Sequence, residues 1–274
     1  MNGLSSVVAY LWGGYSWLFF AIAPVVWALR VYLLGLWRKY PALLIFLVYV
    51  ALNPVVRQII SLPLFKESSQ QLYRWFYFVG QPLWWLLSFL VVLEIYQRML
   101  AGYRGFQRLG ELAKYGALGT VALVVSVLIA ADSAGNGPGT LAVRAILVQQ
   151  RGVYISLTVL CLLLASFAVV FHLSIPKNVQ HVFGVFGIMF AGFAVLETLK
   201  AHLGNEVAQF HAMAGAVLHI GCMLTGAYLF SRAGEVVDAP VFGHSVLALD
   251  TGTEAVLVGR LEGFNQLLLK VLRS

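Results

Sequence analysis

The sequence predicts an all-α, polytopic membrane protein: a seven-transmembrane-helix bundle, N-terminus outside and C-terminus inside, with a short C-terminal cytoplasmic amphipathic helix. Three observations carry this expectation. Of 274 residues, 61% are hydrophobic and only 11% charged, against about 25% charged in soluble domains. The apolar residues gather into seven runs, each close to the ~20 residues that cross a bilayer. Lys and Arg crowd the links on one side of those runs, as cytoplasmic loops do.

The seven windows cover 7–35, 42–64, 73–99, 115–132, 143–173, 181–203 and 206–231. The links between them are polar or turn-like: RKYP at 38–41, KESSQQ at 66–71, AGNGPGT at 134–140, SIPKN at 174–178 and the pair Gly204-Asn205. A longer basic link, AGYRGFQRLGELAK, fills 101–114. The first and fifth windows exceed the bilayer thickness, which implies tilt or emergence into the interface. The opening MNGLSS has no basic residue, so the first window is expected to be a retained helix and not a signal peptide.

Orientation follows from charge. With the N-terminus outside, the cytoplasmic positions hold Arg30, Arg38, Lys39, Arg98, Arg104, Arg108, Lys114, Lys177 and Arg232. The external flanks hold Lys66, Arg74, Arg144 and Lys200. The net charge of +7 thereby finds its use at the membrane surface, with no call for nucleic acid. After Arg232 the composition shifts, dividing the chain into a transmembrane domain, 1–232, and a cytoplasmic tail, 233–274. In the tail, TGTE at 251–254 has capping-box spacing. The run behind it brings Val258, Leu261, Phe264 or Asn265, Leu268 and Leu272 near one face, an amphipathic helix able to meet the membrane, the bundle or a protein partner through 251–272.

Polar residues inside the windows are the candidates for function. Counted from the outer ends, Arg57, Gln81, Arg151, Glu197 and His211 fall in one layer, with Glu197 about six residues, or roughly 9 Å, below the end of its window. A charged side chain facing lipid costs at least about 2.5–3.5 kcal/mol. The cheaper arrangement turns these groups inward, where Glu197 meets Arg151 or Arg57. Asn53-Pro54 and Gln81-Pro82 add kinks, since proline removes a backbone donor. A kinked polar layer fits a ligand cavity, and the surplus of Arg over Glu favours a small anionic ligand. The competing account is a structural ion-pair knot with snorkelling Arg and Lys. At the other end, Glu94 and Arg98 stand i, i+4 in the order of a local ion pair.

Histidines raise one cofactor. His172 and His181 flank one short link, His202 and His211 another, and His219 lies deep in the seventh window. Paired imidazoles at matched depth are what a haem site in a bundle needs. These pairs straddle interfacial loops, so no cofactor is expected and haem stands as the alternative. Cys161 and Cys222 sit in apolar runs as small core residues. The seventh window has no lysine for a retinal Schiff base, and Walker, HExxH and GxSxG motifs are missing.

The stretches FYFVGQPLWW (76–85), VLEIYQ (92–97), YRGFQRLG (103–110) and HVFGVFGI (181–188) together resemble an acidobacterial family of seven-helix integral membrane proteins with no assigned function. The likeness spans the third to seventh windows and does not reach the tail. It implies a multi-pass protein of a bacterial inner membrane and brings no catalytic residues.

The function expected is therefore that of a membrane protein without a catalytic domain, sensing a small anionic ligand or coupling to a partner protein. Two alternatives stay open: a haem-binding electron-transfer subunit, and a structural subunit of a larger membrane complex. Topology is testable first. Single cysteines at Ser69 and Gly137 should react with an impermeant maleimide from outside, and those at Gly105 and Ser274 should not; outside labelling at Gly105 reverses the orientation.

Overall fold

The computed structural model describes residues 2–60, 69–100, 141–170, 173, 175–235, 259, 263, 266 and 270, with side chains from about residues 17, 79 and 148 onward in the first three stretches. Among these are six α-helices and no strand: α1 (Asn2–Leu33), α2 (Pro41–Ile60), α3 (Ser69–Met99), α4 (Leu141–Val170), α5 (Lys177–Leu203) and α6 (Ala208–Leu229). Five segments are long and apolar enough to cross a membrane: α2, Val79–Met99 of α3, Val148–Val170 of α4, α5 and α6. Trp17–Leu33 of α1 adds a shorter apolar stretch. Among the described residues the chain is all-helical, with the spans of a multi-pass membrane protein. The expected window at 115–132 lies outside the described residues. So does most of the tail, where Gly259, Gly263, Gln266 and Lys270 are helical and exposed.

Large apolar side chains on the outside confirm the solvent. On α1, Ile22, Val25, Val26, Leu29 and Leu33 are exposed, and on α4 the same holds for Ile155, Val159, Leu162 and Leu163. Helical spacing makes each set a continuous stripe. Water would penalise such stripes, whereas hydrocarbon accepts them without cost.

The chain forms two compact units, one of 1–91 and 199–230, the other of 92–198 and 231–274. The division passes through α3 and α5.

In the first unit α1 packs against both α2 and α6. Its buried face runs through Ala23, Trp27 and Val31, with Trp27 and Val31 at 0% exposure. Leu43, Phe46, Leu47 and Val50 form the matching stripe on α2. The turn between them is determined by local chemistry. Gly35 takes φ +72°, the left-handed conformation glycine adopts cheaply. Its N–H then reaches the Tyr32 carbonyl at 2.9 Å, and the Leu36 N–H reaches Val31 at 3.0 Å. This is a Schellman termination, with buried Leu36 against buried Val31 as its apolar contact. Tyr40 opens α2 by accepting the Leu44 N–H at 3.0 Å, and Pro41 follows at the first helical position, where no N–H is needed.

α6 closes onto α1 at one point of very close approach. A Cβ on Gly226 would lie 2.6 Å from Cζ2 of Trp27, inside the indole. Below it, Arg30 Nε donates to the Phe230 carbonyl at 2.7 Å. Phe230 is wholly buried and meets Tyr40 edge-on, with centroids 5.1 Å apart. A tryptophan over a glycine, an arginine on the last carbonyl and an aromatic pair thus fix the end of α6.

The second unit joins α4 to α5 through aromatic packing. Tyr154 stacks on Phe193 at 5.1 Å, and Phe186 and Phe190 meet edge-on at 5.6 Å within α5. At the start of α5, Asn178 is fully buried. Its Nδ2 donates to the Ser231 carbonyl at 2.6 Å and to Glu235 Oε1 at 2.7 Å. Its Oδ1 accepts the Ser231 N–H at 3.0 Å. Three of the amide's four hydrogen-bonding positions are thereby filled, which removes most of the cost of burying it. Gly234 makes room for the contact, because a Cβ there would stand 2.8 Å from Asn178 Cγ.

The Trp27–Gly226 contact yields a stability prediction. Gly226→Ala should destabilise the protein in mild detergent by about 1–3 kcal/mol, the usual cost of overpacking. Trp27→Leu in the same chain should restore part of the loss, and a thermal melt of the two variants reads both effects.

Candidate functional site

α2 carries a polar stripe inside an otherwise apolar helix. Tyr49, Asn53 and Arg57 follow one another at i, i+4 and i+8, so they share a face. Tyr49 Oη donates to the Gly80 carbonyl of α3 at 2.6 Å, and Asn53 Nδ2 donates to Tyr49 Oη at 3.1 Å. Gly80 is what lets α2 so near: its missing Cβ would lie 3.1 Å from Tyr49 Oη. Phe46 against Trp84, centroids 5.9 Å apart, seals the same pair of helices on the apolar side. Both helices carry an internal proline beside the contact, Pro54 and Pro82.

Arg57 and Gln81, two of the residues expected to form the polar layer, belong to this α2–α3 region and are half-buried. Tyr49 was the residue that sequence reasoning missed. Its place four residues before Asn53, on the face that also carries Arg57, was the available signal.

Arg151 and Glu197 belong to the other unit. Glu197 is 7% exposed on α5 and accepts a hydrogen bond from Gln150 Nε2 of α4 at 2.9 Å. Gln150 immediately precedes Arg151, which is half-buried. The Tyr154–Phe193 stack lies one turn further along both helices. Sequence reasoning offered Arg151 or Arg57 as the partner of Glu197 and did not single out the neutral amide at 150. An amide is the gentler partner, since it supplies a donor to the carboxylate without a second desolvated ion.

The described histidines are divided between the two units. His211 is half-buried on α6, His202 is exposed at the end of α5, and both belong to the first unit. His181 is half-buried in the second unit, its Nδ1 buried without a hydrogen bond. His172 lies outside the described residues. His219, to which the sequence attached no role, is 6% exposed and rests on Phe20 with centroids 5.5 Å apart; its Nε2 has no hydrogen bond. Among the described residues no group of three His, Cys, Asp or Glu side chains could hold a metal ion. Cys161 and Cys222 are buried free thiols.

No protein-family model matches the sequence, and no curated protein or solved structure matches it either.

The Gln150–Glu197 bond predicts an asymmetry between single and double variants. Gln150→Leu should lower stability by about 1–3 kcal/mol, because a buried carboxylate loses one of its donors. Glu197→Gln should cost less, since the amide oxygen still accepts. Leu at both positions should recover part of the single-variant loss, which a double-mutant cycle of thermal midpoints in detergent measures.

Proposed function

We propose that this chain is a seven-helix protein of a bacterial inner membrane, N-terminus outside, that senses a small anionic ligand at the α2–α3 region and passes the change to a protein partner through 251–272. The observation that carries this reading is the charge inventory of the first unit. Its described helices hold Arg30, Arg57 and Lys200, while its sole described acid is Glu206, exposed in the turn before α6. A half-buried guanidinium in such surroundings raises the local potential for anions. Its planar fork of donors suits carboxylate or phosphate.

The neighbouring groups support recognition. Asn53 and Gln81 add neutral amides, which orient an anion without opposing its charge. Pro54 and Pro82 weaken the helical ladder on both sides of the Tyr49–Gly80 bond, so ligand binding has a deformable element to act on. The ligand's preference for one arrangement of α2 and α3 would be the signal transmitted.

A thermal-shift screen of small carboxylates and phosphate esters tests the proposal. At about 100-fold excess over Kd, a ligand of the native state stabilises by roughly 2.7 kcal/mol, a rise of about 5–10 °C for a chain of this size. That rise should vanish in Arg57→Gln and persist in Arg38→Gln, whose side chain is exposed over Trp37. A flat screen, or an equal shift in both variants, removes the anion-binding reading.

A further inference from the structure

In the second unit, where the ends of α3 and α4 meet the start of α5, there is a cavity of about 170 Å³. Met99 from α3, Ala165, Ala168 and Val169 from α4, and Val179 and Phe183 from α5 form most of its wall. Two alanines facing a valine and a phenylalanine leave the space. Larger residues at 165 and 168 would fill it.

The wall offers nothing to a polar guest. Its polar side chain, Gln180, already donates Nε2 to the Ile175 carbonyl at 2.7 Å. An apolar cavity of roughly 150 Å³ stays dry and accepts a six-carbon hydrocarbon, so this one has the size for a short stretch of alkyl chain. The wall also reaches the outer surface. Val169, on the wall, is also 37% exposed and continues the outer stripe of Ile155, Val159, Leu162 and Leu163. That stripe faces hydrocarbon, so what the cavity meets at its opening is lipid.

We propose that this cavity binds one acyl chain of a membrane phospholipid, taken in from the bilayer past Val169. The headgroup adds little selectivity. Lys177 begins α5, two positions before Val179, but the Glu235 carboxylate is held at the same end by Asn178, and the two charges oppose each other's preference. Recognition is of the chain.

Native mass spectrometry of the full chain tests this, after reconstitution into vesicles of dioleoyl phosphatidylglycerol or dioleoyl phosphatidylethanolamine and extraction into mild detergent. The wild type should retain one phospholipid per chain from either vesicle. Ala168→Leu should reduce that retention at least about tenfold, since its side chain takes the place of several methylenes. Ala165→Leu, at a half-buried position, should do the same, and serves alone if Ala168→Leu lowers the thermal midpoint. On the wild type, hexane should displace the lipid and glycerophosphoglycerol should not. Equal retention in wild type and the filled variants, retention of phosphatidylglycerol alone, or displacement by the free headgroup would overturn the proposal.

Discussion

Hydrocarbon offers no hydrogen-bond partner, so every peptide group in a spanning segment has to be satisfied by the protein itself. Helices do this along their length and fail at their ends and prolines. Several of the polar contacts among the described residues fall where the helices fail. Arg30 donates to the carbonyl that ends α6, and Asn178 to the carbonyl of the residue after it. Gln180 donates to Ile175, just before α5. In each case a side-chain N–H reaches a backbone oxygen. Tyr49 and Gln150 use their polar groups within the spans instead, on the Gly80 carbonyl and the Glu197 carboxylate.

That constraint explains how much of the fold could be read from sequence. Apolar length marked α2, α3, α4, α5 and α6 because a spanning helix has few other ways to be built. Boundaries shifted where polar residues proved compatible with burial. The window beginning at 181 became a helix beginning at Lys177. Asn178 looks like a loop residue by composition, yet its amide is bonded on both sides and its exposure is zero. The same principle limited the reading of the site. Charged residues stand out in an apolar window, so Arg57, Arg151 and Glu197 were visible. The neutral partners, Tyr49 and Gln150, were not, because nothing in their local sequence shows what they bond to. The gathering of Arg57 and Gln81 into one unit and Arg151 and Glu197 into another depends on contacts between distant segments, which depth along separate helices does not encode.

Close helix approach is the other organising force. In lipid the hydrophobic effect does not drive apolar helices together, so packing and small residues decide which faces meet. Gly226 under Trp27, Gly80 under Tyr49 and Gly234 under Asn178 are three uses of one device. Each places a missing Cβ where a large or polar side chain needs the volume. The glycines are therefore read best in pairs with their occupants. The short left-handed turn at Gly35 is a separate case, since open space surrounds it and only its backbone demands glycine.

The Arg30–Phe230 bond spans 200 positions of sequence, and this separation has a consequence for biosynthesis. Domains form from the N-terminus while the ribosome is still working. The α1–α2 hairpin, with its self-sufficient turn, has all it needs once its own residues have emerged. Its partner α6 does not exist until α3, α4 and α5 have been made. Throughout that interval the face of Trp27 and Val31 is without the helix that finally covers it. A nascent chain stalled before residue 226 would present that face to the insertion machinery, which makes it a natural mark by which an unfinished copy differs from a finished one.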